Sequence, residues 1–382
     1  LYIIGNLRAV PADSMQVSLL TCSPGTEVYS LYGHTAIRVK SYAAGGQDWV
    51  FNYGVFSFDQ PHFIWRFALG ECDYQIGALP YPYFAEEYEE RGSAVYEQVL
   101  NLTAEEKRRV WDFLVGNMRP ENREYRYDYL YDNCTTRARD CVEKSVDGEI
   151  VYPESDSVRT FRGIIHQYTV DYPWAELGND ICLGVQADRP ISEREEMFAP
   201  FYLLDYVGGA VIRDAAGRER PLVLSTSEIV KGGAVRVRPE FPLSPAWAAW
   251  LLFAFVAALT VAERLRHASF WLLDILLMAL VGAIGLVVTF LFFFSAHPTV
   301  GSNWQIWVFN PVPLLAMPWV VRCAIRGKKT RYHRWNIFVL IFFMIFSAFI
   351  PQDFCVVVVP LALTLLLRSC SYELSYLKQG KK

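Results

Sequence analysis

The sequence predicts an α+β domain of about 245 residues followed by an all-helical membrane bundle. Three observations predict it. Up to residue 245, short alternating apolar and polar runs bounded by Gly, Pro and Asn are interleaved with capped helix starts. From residue 246, Leu, Phe, Val, Ala, Ile and Trp dominate five dense segments. Lys and Arg crowd only alternate loops between those segments. The net charge of −4 is small for 382 residues and gives no basic footprint for nucleic acid.

In chain order, Gln16–Cys22 alternates as a strand, and Ser23-Pro24-Gly25 turns it. Tyr32–Ser41 and Trp49–Phe58 read as the next strands, with Gly45-Gly46 between them. His62–Leu69 is an aromatic stretch read as a short helix. Asp73–Leu79 is a strand, Pro82–Arg91 a helix and Ser93–Leu102 another strand. Thr103 followed by Glu106 is a capping box that starts a helix over 104–118. Asn133 caps a helix to about Lys144. Residues 150–205 mix short helices and loops. Leu203–Arg213 and Pro221–Val230 are expected to be late strands, and Arg236–Pro245 a linker. The expected domains are therefore 1–245 and 246–382.

The apolar segments are roughly Ala246–Ala262, Phe270–Ser295, Gln305–Val321, Trp335–Ile350 and Phe354–Leu367. The last two are also compatible with a hairpin around Pro351-Gln352-Asp353. The loops after the first, third and fifth carry the Lys and Arg, which places them and the C-terminus in the cytoplasm and the N-terminal domain on the far side. Export of that domain is expected to use a signal of which Leu1–Val10 reads as a remnant. Asp274, one turn into the second segment, reads as an interfacial, snorkelling carboxylate.

Five cysteines precede residue 245: Cys22, Cys72, Cys134, Cys141 and Cys182. An odd number in an exported domain leaves at least one free thiol or an intermolecular pair, and with Cys134 as the free one the other four form up to two bridges; the alternative is that all five are reduced and buried. Cys134 opens a helix, where free backbone N–H groups and the dipole lower a thiol pKa and offer oxyanion donors. Its other reading is a small core residue or half of a bridge to Cys141, for which the spacing along one helix is poor. His34 opens a strand and is the candidate general base, against a hydrogen-bonded core imidazole. A thiol with an imidazole is the arrangement of acyl-transfer enzymes, and a third group orients the ring. Asn52 is the first candidate and His62 the second. Tyr32, Asp132 and Asn133 flank the two motifs as candidate lining residues. His297 and Asn303, in the loop before a segment broken at Asn310-Pro311, are candidates for substrate contact, against a plain interfacial cap. No Cys-x-x-Cys, His-Glu-x-x-His or Gly-rich phosphate loop is present, so neither metal nor cofactor is expected.

Tyr32-Gly33-His34-Thr35-Ala36-Ile37-Arg38, Phe51-Asn52-Tyr53-Gly54-Val55-Phe56-Ser57-Phe58 and Tyr131-Asp132-Asn133-Cys134-Thr135-Thr136, with Asn303-Trp304 and Phe309-Asn310-Pro311, resemble the Lnb family of lipoprotein N-acyltransferases. The His-before-Cys order also resembles permuted NlpC/P60 (papain-like) enzymes of the lecithin:retinol acyltransferase type, although no second histidine follows the first closely. The resemblance implies a permuted NlpC/P60 periplasmic domain held at the inner membrane of a Gram-negative bacterium. It implies that Cys134, deprotonated by His34, takes an acyl chain from a phospholipid donor and passes it to a diacylated apolipoprotein acceptor. The competing readings are a membrane-tethered cysteine amidase or peptidase and a non-catalytic binding domain. An apolar path to Cys134, as against an open polar groove, separates them.

Overall fold

The computed structural model describes residues 11–27, 30–56, 61–233 and 240–379, with side chains to residue 375. The expected remnant at Leu1–Val10 and part of the expected linker, 234–239, lie outside the described residues. The chain divides into two compact units. One comprises residues 1–168 and 190–238, and the other 169–189 and 239–382.

The first unit opens with β1 (Met15–Cys22), β2 (His34–Ser41) and β3 (Asp48–Val55), then α1 (Phe63–Leu69), β4 (Asp73–Pro80), α2 (Tyr81–Arg91) and β5 (Val95–Leu100). The helices α3 (Ala104–Met118) and α4 (Pro120–Arg123), the short β6 (Glu124–Arg126), α5 (Cys134–Glu143), β7 (Glu149–Val151) and α6 (Phe161–Thr169) follow. In the second unit, α7 (Pro173–Cys182) comes next. The chain then returns to the first unit for α8 (Glu193–Glu196), α9 (Pro200–Gly209), β8 (Val211–Arg213), β9 (Glu219–Pro221) and β10 (Val223–Val230).

Seven strands form one antiparallel sheet in the order β10-β5-β1-β2-β3-β4-β6. Period-2 alternation splits its side chains between two apolar layers. Val17, Leu19, Ile37, Val39 and Phe51 join the larger core with Val110, Trp111 and Leu114 of α3 and Ala138 of α5. Leu20, Cys22, Ala36 and Val50 pack on the other side against Phe84 and Tyr88 of α2. The expected capping box starts α3: Thr103 Oγ1 accepts the Glu106 N–H, and Glu106 accepts the Thr103 N–H. Glu106 is fully buried and also takes both its oxygens to Arg220 at 2.6 Å, fastening β9 to the helix.

Leu203–Arg213 departs from the expected strand. Residues 200–209 form α9, because Pro200 sits at the first helical position and Leu203, Tyr206 and Val207 bury at helical spacing; only Val211–Arg213 is extended.

The second unit adds α10 (Pro245–Leu265), α11 (Trp271–Phe294), α12 (Val312–Ile325), α13 (Tyr332–Phe346) and α14 (Val358–Gln379) to α7. Among the described residues, Pro245–Leu265, Trp271–Phe294, Trp304–Ile325 and Tyr332–Phe349 are long and apolar enough to cross a membrane. Of the fifth expected segment, Phe354–Leu367, only the part from Val358 is helical; it opens α14, a 22-residue helix that carries Arg368 and Glu373 further along. Gly282 and Gly285 of α11 let the backbones close: a Cβ at Gly282 would stand 2.5 Å from Leu314, and one at Gly285 would stand 2.3 Å from Asn310. The break at Asn310-Pro311 is thus packed by α11, and Asn310 Oδ1 accepts the Val312 N–H at 3.1 Å in the turn that leads into α12.

Asp274 does not snorkel. It is 6% exposed and bidentate to Arg368 at 2.7 and 2.9 Å, and Arg368 also reaches Glu263 at 2.5 Å and Thr260 at 3.0 Å. In an apolar bundle a carboxylate that finds a guanidinium from a facing helix is held inside.

Candidate active site

Three elements deliver the candidate residues. Gly33 precedes β2 with φ of +77°, and a Cβ there would lie 2.5 Å from the Cys22 carbonyl oxygen, so only glycine lets the strand begin at His34. Ala36 pairs with Asn52 across β2 and β3. His34, two residues back on the same face, is therefore diagonal to Asn52. Its Nε2 lies 2.9 Å from Asn52 Oδ1. With the Asn52 oxygen as acceptor, Nε2 carries the ring proton and Nδ1 is the atom available as base.

Cys134 is the first residue of α5. Asn133 Oδ1 accepts the Thr135 N–H at 2.8 Å and the Thr136 N–H at 2.9 Å, and Thr136 Oγ1 accepts the Asn133 N–H at 2.8 Å. Asn133 Nδ2 donates to the carbonyls of Tyr129 and Phe198 at 2.8 and 2.9 Å. All its polar atoms are engaged within the protein, so Asn133 positions the helix and does not offer itself to a ligand. Of the four free N–H groups expected at this helix start, three are thereby capped; the Cys134 N–H is the donor left in the first turn among the described residues.

The thiol is half-buried. Burial raises its pKa, but the charge and hydrogen bond of His34, the Thr35 N–H and the Thr135 hydroxyl outweigh it and bring the thiol down to about 7. Burial likewise opposes the His34 imidazolium, and the facing Cys134 charge, with hydrogen bonds to Cys134 and Asn52, raises its pKa above the usual value. Thr135 Oγ1 stands 3.8 Å from the sulfur and 3.2 Å from Thr35 Oγ1, both threonines being fully buried. Gly54, φ +82°, leaves room for the nucleophile: a Cβ there would be 3.7 Å from Cys134 Cβ and 3.7 Å from the Tyr127 ring.

None of the eight cysteines is in a disulfide, so no bridge forms among the five of the N-terminal half. Burial is the main cause that pushes Cys72 up to about 11 and raises Cys22 and Cys141. Cys134 is the thiol tuned downward.

The other expected site residues divide. Tyr32 stays beside the site, its ring 5.1 Å from Tyr129 and 5.9 Å from Tyr168. Asp132 is bidentate to Arg137 at 2.6 and 2.7 Å, and that guanidinium lies 3.5 Å over the Tyr125 ring. The pair braces the loop before α5. His62 is exposed at the start of α1 with φ of +58°, and Asn52 is the partner that His34 has. His297 and Asn303 belong to the other unit. His297 is half-buried there. Asn303 is 1% exposed, donates to the Ile181 carbonyl at 2.7 Å and accepts from Gln305 N–H and Gln352 Nε2 at 3.1 and 3.0 Å. It is an internal anchor of that unit and has no face to offer a ligand.

Sequence reasoning passed over Thr35, Thr135 and the tyrosines of β6 and the loop after it. The signal for the tyrosines is their recurrence at every second position, Tyr125, Tyr127, Tyr129 and Tyr131, just upstream of the cysteine; of these Tyr125 lies in β6, and the chain turns at residues 129–131.

Comparison with known proteins leads to the same place. No curated protein and no solved structure matches the chain. Two family models do: the Lnb N-terminal periplasmic domain over residues 6–167 and the Lnb transmembrane domain over residues 237–380. With its β-sheet domain carrying the thiol and imidazole, and its apolar helices following in the order those models give, the chain belongs to the Lnb family of membrane lipoprotein-modifying enzymes.

Proposed function

We propose that the protein is a lipoprotein N-acyltransferase of the inner membrane of a Gram-negative bacterium, working through a Cys134 thioester. The observation that carries the reading is the thiol at the start of α5, lowered to about 7 by the charge and hydrogen bond of His34 against its own burial. His34 is in turn held by Asn52 at 2.9 Å. A thiolate at neutral pH attacks an ester; a thiol at the ordinary 9.0 is present as thiolate only to about 1% at pH 7.

The chemistry follows in two halves. His34 Nδ1 takes the thiol proton, and the Cys134 thiolate attacks an ester carbonyl of a membrane phospholipid. The tetrahedral oxyanion is assigned to the Cys134 N–H at the positive end of α5. Collapse breaks the C–O bond; the departing glycerol oxygen takes the proton from His34 and leaves as lysophospholipid. The α-amine of a diacylglyceryl cysteine at a lipoprotein N-terminus then attacks the thioester carbonyl. His34 accepts the proton the amine sheds, the C–S bond breaks, and the Cys134 thiolate is regenerated beside imidazolium. Amide formation from a thioester runs downhill, so no further cofactor or energy source is needed.

The test is the intact mass of the protein after incubation with phospholipid alone. The wild type should gain one acyl group that hydroxylamine removes, and Cys134→Ala should gain none. A wild type that stays unacylated with its fold intact would refute the phospholipid-donor step and leave a cysteine amidase or peptidase as the reading.

A further inference from the structure

α1 is an anomaly in a water-facing domain. Its seven residues, Phe-Ile-Trp-Arg-Phe-Ala-Leu, include none that is buried, and Ile64, Trp65 and Phe67 are 82%, 58% and 48% exposed. Its single charge is drawn inward: Arg66 is paired with Asp73 at the start of β4, which Arg126 also holds at 2.8 Å. The outward face of the helix is left apolar and aromatic, the composition that favours a membrane interface.

That face is continuous with the nucleophile. Phe67 stacks on Phe63 at 6.2 Å, Phe63 on Phe56 at 5.7 Å, Phe56 on Tyr74 at 4.8 Å and Tyr74 on Tyr127 at 4.3 Å. Tyr127 and Cys134 meet over Gly54, each 3.7 Å from where its Cβ would be. A ladder of five rings thus runs from the exposed helix to the thiol, all within one compact unit. Arg66, the one charged residue of α1, is paired with Asp73.

We infer that α1 inserts into the lipid surface and that this ladder is the wall along which an acyl chain passes from the leaflet to Cys134. The occupant is membrane lipid. Among the described residues, the same chain carries four helices long and apolar enough to cross a bilayer, so a lipid surface is part of the setting in which the protein works. The inference rests on the phospholipid-donor reading for the identity of the chain that travels, but insertion stands apart from it.

The test uses the full chain in nanodiscs of phosphatidylethanolamine and phosphatidylglycerol doped with a phospholipid bearing a diazirine midway along one acyl chain. After irradiation, labelled peptides are mapped by mass spectrometry. Label is expected on α1 and on the Phe56, Tyr74 or Tyr127 peptides, at least tenfold above that on Val158 and Leu224, which are 81% and 62% exposed elsewhere on the same unit. Label on α1 no greater than on those two positions overturns insertion, and a ladder without label overturns the track. In parallel, Ile64→Ser with Trp65→Ser should slow acylation of Cys134 from bilayer phospholipid at least tenfold, with the pH midpoint of Cys134 alkylation as the check that the site is intact. An unchanged acylation rate refutes the proposal. If the wild type takes no acyl group at all, the donor reading fails, and the labelling pattern still decides insertion.

Discussion

His34→Ala separates a thiol held down by its neighbour from one that is merely exposed. In the native protein the Cys134 thiol is brought from the ordinary 9.0 to about 7, although burial pushes the other way. Two units correspond to about 2.7 kcal/mol in favour of the thiolate. At pH 7 this raises the thiolate fraction from about 1% to about half, roughly fiftyfold. A less basic thiolate is a weaker nucleophile, and a Brønsted slope of about 0.45 takes back roughly eightfold. Without His34, burial is opposed only by the Thr35 N–H and the Thr135 hydroxyl, and the midpoint moves up from about 7 toward the ordinary 9.0. The assay is the iodoacetamide alkylation rate against pH, with the Cys134→Ala rate subtracted. The wild type should show a midpoint near 7 and should alkylate about five- to tenfold faster than His34→Ala at pH 7. Above about pH 10 the order should reverse, because both are then thiolates and the variant's is the more basic. Two profiles that share a midpoint near 9 would refute the pairing of His34 with Cys134, and so the base assigned to it.

Three further outcomes follow from the same geometry. Asn52→Ala removes a hydrogen bond that raises the His34 pKa, so the alkylation midpoint of Cys134 should move up from about 7 and acylation at pH 7 should fall; an unmoved midpoint would show that Asn52 does not hold the ring. Asn133→Ala loses the cap of α5 and leaves the Tyr129 and Phe198 carbonyls without their donor, a cost of about 2–4 kcal/mol readable as a lower thermal midpoint in detergent. Arg368→Leu leaves Asp274 and Glu263 unpaired inside the bundle and should cost about 3–5 kcal/mol, much of it recovered in the double variant Arg368→Leu with Asp274→Leu. A single variant as stable as wild type would mean that water reaches the carboxylates.

The candidate site was legible because its parts carry local signatures. A glycine that permits a sharp entry to a strand, an Asn that caps a helix and a Cys immediately after it are all consequences of nearest neighbours in sequence. The orientation of the imidazole by Asn52 could be guessed because consecutive antiparallel strands pair. What was not legible depended on partners far away. Asp274 read as interfacial because nothing nearby reveals that Arg368, ninety-four residues on, pairs with it. Asn303 read as a ligand contact because its polar atoms are taken by Ile181 and Gln352, both remote in sequence. Residues 203–209 read as strand in the sequence because the aliphatic and aromatic run has no clear period until Pro200 is seen as a helix start. The Phe67-to-Tyr127 ladder combines four separate segments, so only the tyrosine alternation at its inner end left a trace in the sequence.

The excursion of residues 169–189 bears on the order in which the molecule can be assembled. Leu177 and Ile181 bury among the helices of the C-terminal bundle, and the carbonyls of Asp180, Ile181 and Leu183 are received by Gln305, Asn303 and Gln352. Those receivers are synthesised more than a hundred residues after α7. During translation α7 therefore emerges with its apolar face and three carbonyls unprovided for, while β8, β9 and β10, which follow it, already have their partners in β7 and β5. The sheet can close around an unfinished loop, and the loop is then secured only when the last spans have been inserted. A ribosome-bound chain halted before Asn303 should accordingly protect β10 from proteolysis while leaving 169–189 open to cleavage. Release of the full-length chain into membranes should abolish that cleavage, making docking of α7 a reporter that the bundle is complete.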